Sequence, residues 1–150
     1  MRLLFDTSTL IASLVEEHTA YAVTYPWLQA VIEGKETGLL STHSLAEAYA
    51  KLTRIPFASG TLPVRQVESM LLETIVQSFT IIPLTEDDYK AVIAHLAGSE
   101  QTGGIIYDAL ILRAGVKAKA DRILTLNARH FQRIDPNLAD RIFDPSAQRS

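Results

Sequence analysis

A chain of 150 residues, 47% of them hydrophobic, has the size of one globular domain and can bury about two thirds of its unfolded surface. Its 14 basic and 17 acidic residues leave a formal net charge of -3, which excludes a global basic field, so any polyanion must be met locally. The absence of cysteine excludes disulfides and thiolate metal sites and points to a reducing, cytoplasmic setting, with no signal-peptide pattern and no apolar run of about 18 residues to enter a membrane.

In chain order, Leu3-Leu4-Phe5 is a continuous apolar run, and Leu10, Ile11, Leu14 and Val15 then recur at helical spacing. The pattern predicts strand, turn and helix, with Thr7, Ser8 and Thr9 all able to cap the helix. A second helix is predicted from Ala20 to Gly34, with Pro26 near one end or at a kink and Gly34 as its stop. Thr37 to Ser41 is strand-like and runs into hydroxyl residues that look like a cap. Helical spacing resumes through Leu45, Ala46, Tyr49, Ala50 and Leu52 as far as Ile55-Pro56. Pro56, Ser59, Gly60 and Pro63 mark a loop. Val64 to Ser78 is helical, Phe79 to Leu84 strand-like, and Thr85 with Asp88 opens another helix through a capping-box pattern. Gly98 to Gly104 is a polar loop, Ile105 to Ala120 an apolar helix, and Arg122 to Leu126 a strand. Beyond Phe131 the periodicity fades into a short strand near Arg141 to Phe143 and a frayed polar tail, so the expected division is a domain over residues 1–143 and a tail over 144–150. No repeat or internal boundary is visible.

Short strands alternating with helices imply an α/β fold whose mostly parallel sheet is covered on both faces, and in such sheets sites form beyond the carboxyl ends of the strands. Asp6 follows the first strand, Glu47 lies in the first helical turns after the second, and Asn127 follows RILTL, so all three share one edge. Asp108 joins them only if the loop from Gly98 to Gly104 returns the chain to that edge. Each residue also has a structural explanation. Asp6 can be an N-cap, Glu47 can complete a capping box with Ser44, and Asn127 can be a turn residue. Asp108 gains roughly 0.3–1 kcal/mol from the helix dipole. Its apolar neighbours from Ile105 to Leu112 predict a buried helix, however, where an unpaired carboxylate costs several kcal/mol, so the dipole alone does not account for it.

If the three acids converge, a pair about 4 Å apart repels by roughly 4 kcal/mol at an effective dielectric of about 20, and a cation is needed to neutralise them. An oxygen-only set suits a hard ion, Mg²⁺ or Mn²⁺, whose natural substrate is a phosphate group.

At these residues the sequence resembles the PIN-domain nucleases, and among them the VapC-type toxins of prokaryotic toxin–antitoxin pairs. The resemblance rests on LLFDTSTLIA, STHSLAEAYAKLTR, GGIIYDALILRAG and RILTLNARHF, in that order over about residues 1–135. It implies a three-layer α/β/α sandwich with four to five short strands and a metal-dependent endoribonuclease. The metal residues would be Asp6, Glu47 and Asp108, with Asn127 where the family often has a fourth acid, and Ser8 where a small polar residue lines the site. It also implies a homodimer and a small antitoxin lying across an apolar surface, here Tyr49, Leu52 and IPFASGTLP, with a core role for Tyr49 equally open. A neutral amide at Asn127 weakens the case for a second tightly held ion.

Arg129 is the further candidate for substrate contact, and Lys51 and Arg54 lie one and two helical turns beyond Glu47, within reach of an RNA backbone. His130 is expected to make a structural hydrogen bond; His18, His43 and His95 show no ligand spacing. Two other readings stand beside the nuclease. A PIN-like protein- or RNA-binding module without catalysis is favoured by Asn127 and opposed by the three acids. A phosphatase or phospho-acceptor using Asp6 lacks the second acid or lysine it needs, and GSEQTGG lacks the Lys and Ser/Thr of a triphosphate loop, which argues against a nucleotide cofactor.

Overall fold

The first strand, β1 (Arg2–Phe5), is continuously apolar because both its faces are covered: Leu3 and Phe5 enter one hydrophobic cluster and Leu4 another. In a computed structural model, which describes residues 1–58 and 60–147, β1 is the centre of a five-stranded sheet. The order is β1, α1 (Thr7–Leu14), α2 (Tyr21–Ile32), β2 (Thr37–Ser41), α3 (Thr42–Leu52), α4 (Val64–Ser69), a π-helical stretch (Met70–Ile75), α5 (Val76–Ser78) and β3 (Phe79–Ile82). Then come α6 (Glu86–Gly98), α7 (Ile105–Lys117), β4 (Arg122–Leu124), α8 (Ala128–Ile134), a 3-10 turn (Pro136–Leu138) and β5 (Ile142–Phe143). The strands lie in the order β3-β2-β1-β4-β5, and every pairing is parallel.

Alternation along the strands divides the core. Leu3, Phe5, Leu40, Phe79 and Leu124 meet residues of α1 to α4, while Leu4, Leu39, Ile82, Ile123 and Ile142 meet α6, α7 and α8. The expected three-layer α/β/α sandwich is therefore present. Two glycines permit its close approaches. A Cβ on Gly38 of β2 would stand 2.6 Å from Val31 Cγ1 and 2.7 Å from the Phe79 ring, and one on Gly115 of α7 would stand 2.8 Å from Leu4 Cδ2.

Several boundaries shift. Asp6, and none of the three hydroxyl residues after it, is the N-cap of α1, accepting from the Thr9 N–H at 2.9 Å. The predicted helix from Val64 to Ser78 is continuous but passes through the π-helical stretch, β3 stops at Ile82 before Pro83, and β4 ends at Leu124. Ser59 of the predicted loop and the last three residues of the predicted tail lie outside the described residues. Thr85 and Asp88 form the expected capping box. The buried Asp88 carboxylate also accepts from Lys117 Nζ at 2.8 Å and Arg113 Nε at 3.0 Å, pinning the start of α6 to the end of α7. The two helices run antiparallel, Asp88 opposite Lys117 and His95 near Ala109. Among the described residues no helix is long and apolar enough to cross a membrane.

Candidate active site

The end of β1 places Asp6 in the interior, 4% exposed, where a carboxylate persists only if hydrogen-bonded. Its Oδ1 accepts from Ser8 Oγ at 2.6 Å and from the Thr9 N–H, and its Oδ2 accepts from Thr125 Oγ1 at 2.5 Å. Both hydroxyls are themselves held by the chain leaving β4: Ser8 Oγ accepts from the Leu126 N–H at 3.3 Å and Thr125 Oγ1 from the Asn127 N–H at 3.0 Å. Two strand ends are thereby latched around one carboxylate. Burial pushes the Asp6 carboxyl up from its ordinary value, the bonds from Ser8, Thr125 and Thr9 oppose the shift, and the charge of Asp108 adds to it.

Glu47 stands in the second turn of α3. The start of that helix is capped by Ser41, whose Oγ accepts from the Ser44 N–H at 3.1 Å, and Thr7 Oγ1 donates to Ser44 Oγ, also at 3.1 Å, tying α3 to α1. The capping box expected between Ser44 and Glu47 is absent because Ser41, three residues earlier, already occupies the cap. Glu47 instead faces His43 Nε2 at 3.6 Å and Lys51 Nζ at 3.8 Å. His43 Nε2 is buried without a hydrogen bond, and its ring stacks on Tyr107 at 5.4 Å between centroids.

Asp108 does reach this edge. The expectation that it is buried is corrected: α7 is partly exposed in its first turn and becomes buried only from Ala109, so the Asp108 side chain keeps 30% of its surface. Partial burial still raises its carboxyl, with Glu47 adding to the shift and His130, Lys51 and His43 opposing it. His130 Nδ1 lies 3.9 Å from Asp108 Oδ2 and 2.8 Å from Asn127 Nδ2. At the carboxyl ends of the strands the Asp108 charge thus weighs on Asp6, and the Glu47 charge on Asp108. A sequence profile of the PIN domain family matches residues 3–136, the span that carries all of these residues.

The chain belongs to the PIN-domain family.

Its relatives include two curated proteins of Mycobacterium tuberculosis. Ribonuclease VapC27 is 32% identical over 124 residues, covering 83% of each chain, and Ribonuclease VapC40 is 32% identical over 127 residues, covering 83% of this chain and 85% of its own. Among solved structures, VapBC2 from Rickettsia felis, bound to a DNA fragment from its promoter, superposes with a TM-score of 0.67 at 18% identity, over 96% of this chain and 98% of that one. At that identity the superposition speaks for the fold.

Within this PIN domain, Asn127 is exposed at the start of α8, makes no side-chain cap, and is paired with His130. His130 thus makes a side-chain hydrogen bond, as expected. Arg129 is exposed, and Ser8 has its hydroxyl committed to Asp6 and Leu126. Thr125 was not singled out in the sequence, and His43 was given no role there. Thr125 lay inside RILTLNARHF, and its signal was a hydroxyl at the end of an otherwise apolar strand. Of the expected partner surface, Leu52 is fully buried and belongs to the core. Tyr49 is 46% exposed and borders an apolar groove with Leu45, Val64, Leu71 and Leu72, so the alternative core role for it falls away.

Among the described residues no three Asp, Glu or His side chains stand together as a ready-made metal cage. Mg²⁺ does not require one, since it keeps several waters and is commonly bound through one or two carboxylates. The donor chemistry therefore fits: two mutually repelling carboxylates with raised pKa values and a third acid, Glu47, that contributes to the repulsion.

Proposed function

We propose that this PIN domain is an endoribonuclease that hydrolyses RNA phosphodiester bonds with Mg²⁺ or Mn²⁺, as the toxin of a toxin–antitoxin pair. The observation that carries the reading is the carboxylate group itself: Asp6 and Asp108 are each raised by burial and by a neighbouring acid, an arrangement that costs stability unless a cation is present. The ribonuclease relatives VapC27 and VapC40 support the RNA substrate, and the VapBC2 assembly supports an antitoxin partner.

Asp6 and Asp108 would hold the ion, with Glu47 completing its shell or orienting the attacking water. When bound, such an ion orients and acidifies water and offsets charge on the leaving oxygen. Ser8 and Thr125 hold the Asp6 carboxylate in place by donating to both of its oxygens. Lys51 is set 3.8 Å from Glu47, at the edge where the RNA backbone would pass, and Arg129 is exposed beside Asn127. Asn127, hydrogen-bonded to His130 beside Asp108, supplies an amide where a fourth carboxylate would stand, in keeping with a single ion. The groove bordered by Tyr49, Leu45 and Leu72 is the surface we assign to the antitoxin, and a homodimer, checked by light scattering, completes the proposal.

The test is cleavage of a panel of fluorescent single-stranded and hairpin RNAs with Mg²⁺, Mn²⁺ or chelator, beside Asp108→Asn. Metal-dependent cleavage that vanishes in the variant is expected; full activity in Asp108→Asn sinks the assignment. The Asn127–His130 pair favours one competing reading, a binding module without catalysis. A melting temperature that responds to neither ion, together with silence across the panel, would establish that module instead.

A further inference from the structure

Resting on the ribonuclease reading, we infer that Tyr107, braced by His43, is a stacking platform for one nucleobase of a single-stranded RNA beside the reacting phosphate. Tyr107 is 54% exposed although it sits in the first turn of a helix whose later residues are core, immediately before Asp108. An aromatic ring so exposed is held in place here: the His43 imidazole lies against it, 7° from parallel with centroids 5.4 Å apart. His43 is in turn one helical turn before Glu47 on α3 and buries its Nε2 without a hydrogen bond. The two stacked rings thus bridge the helices that carry Glu47 and Asp108. A preorganised aromatic face beside a phosphate-directed site is what unpaired bases use, since every base has a π-face and stacking is indifferent to sequence. Duplex RNA, with its bases already stacked, has no such use for it.

The experiment uses the full chain carrying Asp108→Asn in magnesium buffer, titrated into short single-stranded RNAs that each contain one 2-aminopurine at a different position. At one position the fluorescence should be quenched on binding. Adding Tyr107→Ala should remove that quench and weaken binding about tenfold or more, whereas Tyr107→Phe should retain both, because the ring face and not the hydroxyl is the contact. In the cleaving protein, Tyr107→Ala should raise KM more than it lowers kcat. Quenching and affinity that are the same in Tyr107→Ala, in a protein whose melting shows it folded, overturn the platform, as does the absence of quench at every position with the tyrosine present. Quench without cleavage by the unsubstituted protein would retain the platform and remove the nuclease, so the two failures are distinct.

Discussion

Thr125→Val removes one hydroxyl from the interior while keeping the side chain's shape. In the structure that hydroxyl donates to Asp6 Oδ2 at 2.5 Å and accepts from the Asn127 N–H at 3.0 Å. A hydrogen bond to a charged group contributes about 1.5–3 kcal/mol, and the Asn127 N–H, at an exposed residue, can turn to water at small cost, so the expected loss is about 2 kcal/mol. For a domain of this size that corresponds to a fall of roughly 4–8 °C in Tm. The loss also has a pH signature. Burial holds the Asp6 carboxyl above its ordinary value, so the folded protein keeps a proton that the unfolded chain releases, and stability falls as pH rises through the window between the two pKa values. Thr125 opposes that shift; its removal should carry the window to higher pH and leave the cost largest above it. Urea denaturation followed by circular dichroism, from acid to neutral pH and with Thr125→Ser as the control that restores the hydroxyl, measures both. A valine variant whose midpoint equals that of the parent at neutral pH, with an unchanged slope, would refute the claim that this bond holds the ionised Asp6.

Three further outcomes follow from the same geometry. Asp108→Asn should raise the melting temperature in chelator, because the ionised carboxylate is disfavoured there by burial and by Glu47, and should abolish any rise produced by Mg²⁺, which at about a hundred times its dissociation constant would otherwise add about 2.7 kcal/mol; calorimetry reads both. Gly38→Ala should destabilise by about 1–3 kcal/mol in denaturant titration, since the new Cβ would meet Val31 Cγ1 at 2.6 Å and the Phe79 ring at 2.7 Å, both in the packed core. Asp88, held well below the usual carboxylate range by Lys117, the Thr85 N–H and Arg113, contributes stability that is fully present above the ordinary carboxylate pKa and is lost progressively as pH falls from there through the lower folded value, so Asp88→Asn should flatten the acid limb of the stability profile.

Much of this was legible in the linear pattern, and what was not has identifiable physical causes. Leu3-Leu4-Phe5 reads as a strand covered on both faces because no polar residue interrupts it, and Thr85 with Asp88 reads as a cap because the contact spans three residues. At α3 the sequence offered two local readings, a cap in the hydroxyl residues that end Thr37 to Ser41 and a box between Ser44 and Glu47; the cap is Ser41, and Glu47 is left to face His43 and Lys51. The burial expected for Asp108 was not found, and that of Asp6 was not read from the sequence at all. Asp108 sits in the more apolar sequence yet is half-exposed, whereas Asp6 is enclosed by Thr125, 119 residues away.

The sequence by itself determined the α/β class, the parallel order implied by alternating strands and helices, and the set of acids at the strand ends, because periodicity and capping are interactions between near neighbours. Only the tertiary structure decided which carboxylate is buried, that Thr125 and Ser8 hold it, and that His43 and Tyr107 stack across two helices. These depend on contacts between residues far apart in the chain, and no local pattern encodes the distance at which two distant side chains come to rest.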